Sequence, residues 1–277
     1  MSPPRYRAVL TGATGGIGRS MALRLGPLCE SLLLVARDGA ALAALAREIE
    51  AAGGRARAVP ADLTTPAGRE AVLRAATETR GGIDLLVNNA GTGGFAWLAD
   101  QDDAALERIM RINVLAPIQL TRGLLPLMLA QPAARIVNVG SIFGYLGYPG
   151  HAAYSASKFA LRGFSEALRR ELADGPVQVT YFAPRATRTA MNGAAMCALN
   201  AELGVAMDTP ETVASALIAL LENPVQERPL GMPERLFARL NQIVPWLVDR
   251  ALRRQLPVIR RHARDTTPVT TPQGVRP

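Results

Sequence analysis

The sequence predicts an α/β chain: a doubly wound, mostly parallel sheet with helices on both faces, followed by a C-terminal helical extension. Three observations predict it. Short apolar runs of strand length alternate with longer amphipathic stretches from residue 7 onward. The first run leads directly into a glycine-rich turn. The chain has 277 residues and is 49% apolar, enough to bury one sizeable core.

Arg7-Ala8-Val9-Leu10 reads as a short buried strand, and it runs into Thr11-Gly12-Ala13-Thr14-Gly15-Gly16-Ile17-Gly18. Arg19 to Leu28 then suits an amphipathic helix, with Cys29 expected at its end as a small core residue. Strand, turn and helix make a phosphate-binding device of Rossmann type. Glycines let the backbone approach an anion, and the helix N-terminus attracts it. The spacing Gly12, Gly16, Gly18 differs from the Gly-x-Gly-x-x-Gly fingerprint. Ser31 to Ala36 forms the second strand. An acid at its end suits the ribose hydroxyl of NAD, whereas an arginine suits the 2′-phosphate of NADP. The strand ends Ala36-Arg37-Asp38, so Arg37 is read as a bidentate phosphate partner and the cofactor as NADP(H). A solvated turn arginine is the alternative, and Asp38 leaves a carboxylate contact to the ribose open.

Further on, Arg135 to Val139 reads as a buried strand, ending in Gly140-Ser141. A hydroxyl at a strand's C-terminal end sits where open α/β sheets bind ligands. Next comes the one lysine among 31 basic side chains, Lys158, four residues after Tyr154. On a helix the two share a face. An ammonium is a compact point charge that a guanidinium does not replace. A phenol has a pKa of about 10, and bringing it to about 7 takes roughly 4 kcal/mol, which a nearby cation can supply.

Together these segments resemble the short-chain dehydrogenase/reductase family, in its compact single-domain branch, over about residues 5–232. The matching motifs are Thr11 to Gly18, Asp62-Leu63, Asn88-Asn89-Ala90-Gly91, Asn113, Ser141 and Tyr154-x-x-x-Lys158. The resemblance implies roles. Tyr154 is the general acid/base, Lys158 binds the nicotinamide ribose and lowers the Tyr154 pKa, and Ser141 holds the substrate oxygen. Asn113 anchors a water relay toward Lys158. Asp62 and Leu63 border the adenine; Asn89, Ala90 and Gly91 lie along the cofactor. Thr187 and Thr189 match cofactor-contact positions. Arg185 stands where the family commonly has glycine after proline, which puts the loop geometry in question and makes Arg185 and Arg188 either phosphate partners or solvated side chains.

The expected product is an NADP(H)-dependent oxidoreductase acting on a carbonyl, a ketone or 3-oxoacyl compound, or on the corresponding alcohol. A non-catalytic NADP(H)-sensing regulator is the rival. A sugar-nucleotide epimerase fits less well, because the tail is short and basic. Residues 190–207 occupy the family's substrate lid. With Met191, Met196 and Met207 there, and Phe95, Trp97, Phe143 and Tyr148 on nearby loops, a hydrophobic substrate is expected. Thr209-Pro210-Glu211 opens the next helix.

The catalytic and cofactor-binding domain is expected to span 1–232, a basic amphipathic extension 233–265, and a disordered tail 266–277. Residues 233–277 hold nine arginines against three carboxylates, so +6 of the net +8 lies there. The extension repeats apolar residues at helical spacing, with Pro245 breaking the run. Its apolar face packs on the enzyme, on a second subunit or on an anionic membrane surface. No reading helix or aromatic platform accompanies the charge, so nucleic acid is not an expected partner. A homodimer or homotetramer is. Two cysteines form no disulfide framework, and His151 and His262 make no metal site. No secretory signal and no run of 18 apolar residues is read, so the expected location is cytoplasmic or membrane-peripheral.

Overall fold

The computed structural model describes residues 6–264, which excludes the expected tail 266–277. Seven parallel strands form one sheet in the order β3-β2-β1-β4-β5-β6-β7. They are β1 (Tyr6–Thr11), β2 (Cys29–Ala36), β3 (Ala56–Pro60), β4 (Leu85–Asn88), β5 (Ala134–Val139), β6 (Val177–Ala183) and β7 (Glu227–Pro229). All four residues of β4 are buried, as expected for a strand covered on both faces. The order reverses between β1 and β4, so the ligand crevice of the fold opens at their C-terminal ends.

One face carries α1 (Gly16–Leu25), α2 (Gly39–Ala51) and α8 (Pro210–Glu222), whose Met21, Leu42 and Leu217 are fully buried with Leu10, Leu34 and Phe182. On the other face lie α3 (Pro66–Thr77) and α5 (Ala116–Leu129), with Val72, Leu120 and Leu124 packed on Val9, Leu86 and Ile136. The amphipathic α4 (Asp103–Met110) runs through a π-turn, Arg111–Leu115, into α5. Helix α6 (Ala152–Glu171) follows the end of β5, and α7 (Ala194–Glu202) lies in the lid segment. The extension is two helices, α9 (Met232–Ile243) and α10 (Pro245–Arg264), parted at Pro245, which cannot donate the hydrogen bond that continuation needs.

Two expectations are corrected. Helix α1 begins inside the glycine turn at Gly16 and ends at Leu25, because Gly26-Pro27-Leu28 tightens into a 3₁₀ turn. Cys29 therefore opens β2 instead of ending a helix; it is buried there, and burial pushes its thiol up to about 12. The run Asp103–Leu129 is long and apolar enough by composition to cross a bilayer, with a mean hydropathy of 1.3. Polar residues such as Glu107, Arg111 and Arg122 interrupt it, so it contains no unbroken apolar run of 18. Its fully buried Leu120, Leu124 and Met128 face the sheet, as a core helix requires.

Candidate active site

The nucleotide end is built by close backbone approach. Gly12 has φ +65°, and a Cβ there would lie 2.8 Å from Ala90 Cα. A Cβ on Gly18 would come within 2.0 Å of the Gly12 carbonyl oxygen, so both positions admit only glycine. Thr11 Oγ1 accepts from the backbone N–H groups of Asn89 and Ala90, each at 2.9 Å. Asn89 Nδ2 donates to the carbonyls of Thr11 and Gly12 at 3.1 and 3.2 Å. The Asn89 side chain thus braces the glycine turn. Gly15 caps α1 without a side-chain hydrogen bond, and no acid stands in its first turn. Thr14 and Ile17 flank an open, unneutralised helix N-terminus, which suits a phosphate. Thr189 closes over Gly16 from the loop after β6: a Cβ on Gly16 would meet Thr189 Cγ2 at 3.0 Å. The Thr187 hydroxyl turns back to the Arg185 carbonyl at 2.9 Å.

At the other edge of the crevice, Arg37 is exposed, and among the described residues no hydrogen bond or ion pair holds it. Asp38 is already engaged: it caps α2, accepting from Ala41 N at 3.0 Å. Asp62 accepts from the Thr64 amide and hydroxyl at 2.9 and 2.7 Å. Those bonds, with some help from Arg37, hold its carboxyl below the usual range. Leu63 beside it is buried.

The catalytic candidates meet at the end of β5 and on α6. Tyr154 and Lys158 share a face one turn apart, with Lys158 Nζ 5.6 Å from the Tyr154 ring centre. Lys158 is buried, and its ammonium donates to the Val139 carbonyl at 3.2 Å. Burial lowers its pKa to about 8. Burial raises the Tyr154 phenol, and a hydrogen bond with Ser141 opposes the rise. The expected lowering by Lys158 is therefore not the governing effect in the chain alone. The Lys158 ammonium donates to a backbone carbonyl, and burial of Tyr154 outweighs the hydrogen bond with Ser141. Asn113 lies in the π-turn, a distortion frequent at functional sites. Its amide donates to Thr92 O at 2.9 Å and Ser157 Oγ at 3.0 Å, while its oxygen accepts from Thr92 N at 2.8 Å. Gly91 sits against it: a Cβ there would lie 3.1 Å from Asn113 Oδ1.

Two supporting groups escaped the sequence reading. Tyr181, fully buried on β6, accepts from Ser141 N at 3.2 Å and lies 3.1 and 3.2 Å from the Ser141 and Lys158 carbonyls. Its hydroxyl ties the β5 terminus to α6, and Gly140 and Gly144 leave it room, since a Cβ on either would overlap it. Asn138, also fully buried, accepts from Asn88 Nδ2 at 2.9 Å and donates to Ser165 Oγ at 2.9 Å. A tyrosine and an asparagine at buried strand positions were the available signals, because buried polar groups need partners.

Above Tyr154 lies an aromatic wall. Phe143 stacks on Tyr148 at 5.0 Å and meets Tyr154 edge-on at 6.3 Å. His151 stacks on Phe95 at 5.1 Å. The lid's Met196 and Leu199 close with Phe95, Trp97, Tyr148 and Ile259 of α10. Arg185 is neither solvated nor a free phosphate partner. It pairs with Asp208 at 2.7 Å and Glu234 at 3.4 Å, joining the end of the lid to the start of α9. No non-glycine residue among those described has positive φ, so replacing glycine by arginine costs this loop no strain.

The profile of the short chain dehydrogenase family matches residues 7–198. The chain belongs to the short-chain dehydrogenase/reductase family. It is therefore an oxidoreductase on a NAD(P)-binding Rossmann-type fold. Its relatives include the ketoacyl reductase HetN of Nostoc sp. (strain PCC 7120), 32% identical over 88% of this chain and 87% of that protein. A short-chain dehydrogenase/reductase from Burkholderia phymatum, solved with NAD, superposes with a TM-score of 0.80 at 26% identity, covering 89% of this chain and 96% of its own. One from Sphingobium yanoikuyae, solved with NADPH, gives 0.74 at 26% identity, covering 99% and 100%.

Proposed function

We propose that this short-chain dehydrogenase/reductase is an NADPH-dependent carbonyl reductase, working on a hydrophobic ketone or 3-oxoacyl compound, or on the alcohol in reverse. The convergence of Ser141, Tyr154, Lys158 and Asn113 around one crevice carries the reading. The glycine turn fits a dinucleotide: Gly12 and Gly18 let the turn pack tightly on Ala90 and Asn89, and Gly15 caps a helix N-terminus that has no acid in its first turn. In this reading Gly12, Thr14, Gly15, Gly16, Ile17 and Gly18 hold the pyrophosphate with Thr187 and Thr189. Asp62 and Leu63 border the adenine, Asn89, Ala90 and Gly91 line the adjoining wall, and Lys158 holds the nicotinamide ribose. The cofactor, when bound, supplies the hydride. Tyr154 donates its phenolic proton to the carbonyl oxygen, which Ser141 Oγ holds by a hydrogen bond. The protonated Lys158 stabilises the phenolate left behind. The aromatic wall and the lid's methionines favour an apolar substrate. A homodimer or homotetramer is the assembly we propose with it.

For the cofactor, the unpaired Arg37 and the capping duty of Asp38 favour a 2′-phosphate over a bare ribose. Arg37→Ala is expected to weaken NADPH binding roughly tenfold or more, as loss of a charge-assisted contact does, and to leave NADH nearly unchanged. Isothermal titration with both cofactors measures this, and equal losses would remove the phosphate assignment. The activity itself is tested by following NADPH oxidation against ketones of graded chain length. Rates should rise with apolar length. A flat response from protein that still binds NADPH would favour a sensing role without turnover.

A further inference from the structure

The extension leaves its outer face uncovered in a particular way. Along α9, Met232, Leu236, Arg239 and Ile243 follow helical spacing, and Met232 and Ile243 are 74% and 77% exposed. Trp246, 64% exposed, and Leu247 continue the patch into the first turn of α10. Leu236 and Phe237 are exposed too, so six large apolar side chains of the extension face outward. Five exposed arginines surround them: Arg235, Arg239, Arg250, Arg253 and Arg254. Among the described residues none of these is ion-paired, whereas nine arginine–carboxylate pairs form elsewhere. The inner face of α10 is occupied. Ile259 packs on Met196 and Leu199 of the lid, and His262 meets Glu202 of α7 at 2.7 Å.

We infer that the outer face of α9 and the start of α10 docks on an anionic phospholipid surface. An apolar centre with tryptophan at its edge and arginines around it matches the layers of a bilayer interface: acyl chains, then carbonyl level, then phosphates. Each basic residue near such a surface adds attraction that salt removes. A second copy of this chain fits less well, because a self-complementary contact would press one arginine rim against another. A nucleic acid would leave Ile243 and Trp246 without apolar partners. The docked face and the lid contact share one helix, so docking sets the substrate entrance beside the membrane.

The test uses the full chain and vesicles of phosphatidylcholine and phosphatidylglycerol in equal parts, with pure phosphatidylcholine as the comparison. The protein should sediment with the anionic vesicles, bind pure phosphatidylcholine roughly tenfold or more weakly, and be released by added salt. The double variant Ile243→Ser/Trp246→Ser should lose binding roughly tenfold or more, as should Arg250→Gln/Arg253→Gln/Arg254→Gln. Both should keep the parent melting temperature and its turnover of a water-soluble ketone. Three results would overturn the inference: protein that stays in solution with both vesicles, binding unchanged in both variants, or a dimer seen by analytical ultracentrifugation that Ile243→Ser/Trp246→Ser dissociates while vesicles are ignored.

Discussion

Helices α6 and α10 are both 20 residues long and both amphipathic, yet they use their faces in opposite ways. Helix α6 buries Ser155, Ser157, Lys158 and Ser165 beside only two leucines. Helix α10 buries only Val248, Ile259 and Ala263 among its described side chains, while Trp246 and Leu247 face outward. Burying an ammonium and three hydroxyls costs free energy that leucines would not, unless each finds a partner. Each of the four does: Lys158 on Val139, Ser157 on Tyr154 O at 2.6 Å, Ser165 on Leu161 O at 2.7 Å, and Ser155 on Tyr148 N at 3.4 Å. A polar inner face marks a place where chemistry is done, and an apolar outer face marks a place where something else is met.

The largest effect that could break this contrast lies at Tyr154. Tyr154→Phe keeps the ring and removes the proton donor, so turnover should fall on the order of 10²-fold or more, while NADPH binding persists. Steady-state kinetics beside cofactor titration decide it, and normal turnover would strip α6 of its catalytic part. Lys158→Arg comes next, with a loss of roughly tenfold, because a planar, larger head must fit where an ammonium is buried. The pH profile sharpens this. With Lys158 lowered to about 8, its charge is present below that pH and lost above it, so wild-type carbonyl reduction should decline through about pH 8. An arginine stays charged, so the variant's slower reaction should lack that inflection; an inflection that remains belongs to another group.

A separate effect, on stability and not on turnover, concerns the N-cap of α6. Burial lowers the His151 pKa to about 4, against an ordinary value near 6.5. Between those values the unfolded chain binds the extra proton and the folded chain does not, so stability falls as pH drops from about 6.5 to about 4. The loss amounts to about 3 kcal/mol at most. His151→Gln should flatten urea-unfolding midpoints across that window, and an unchanged slope would show that other groups carry the acid sensitivity.

Much of this was legible beforehand where chemistry restricts the residue type. Only glycine fits at Gly12 and Gly18, and a lone lysine in an arginine-rich chain stands out, so the turn and the Tyr154–Lys158 pair could be read from the sequence. What escaped depends on distant segments meeting. Tyr181 is 40 residues from Ser141, and nothing local says that its hydroxyl reaches there. Asp38 reads as a ribose contact left open until α2 is seen to start at Gly39 with Asp38 as its cap. The burial that lowers the Lys158 pKa was not legible, because sequence gives the neighbour but not the burial. Arg185 looked free because Asp208 and Glu234 lie 23 and 49 residues away.

That guanidinium has a mechanical consequence. Arg185 is half-enclosed, its Nε has no partner, and it grips Asp208 on one side and Glu234 on the other. One side chain therefore ties the end of the substrate loop to the start of the extension. Displacing either segment would leave Arg185 with one carboxylate where it now has two.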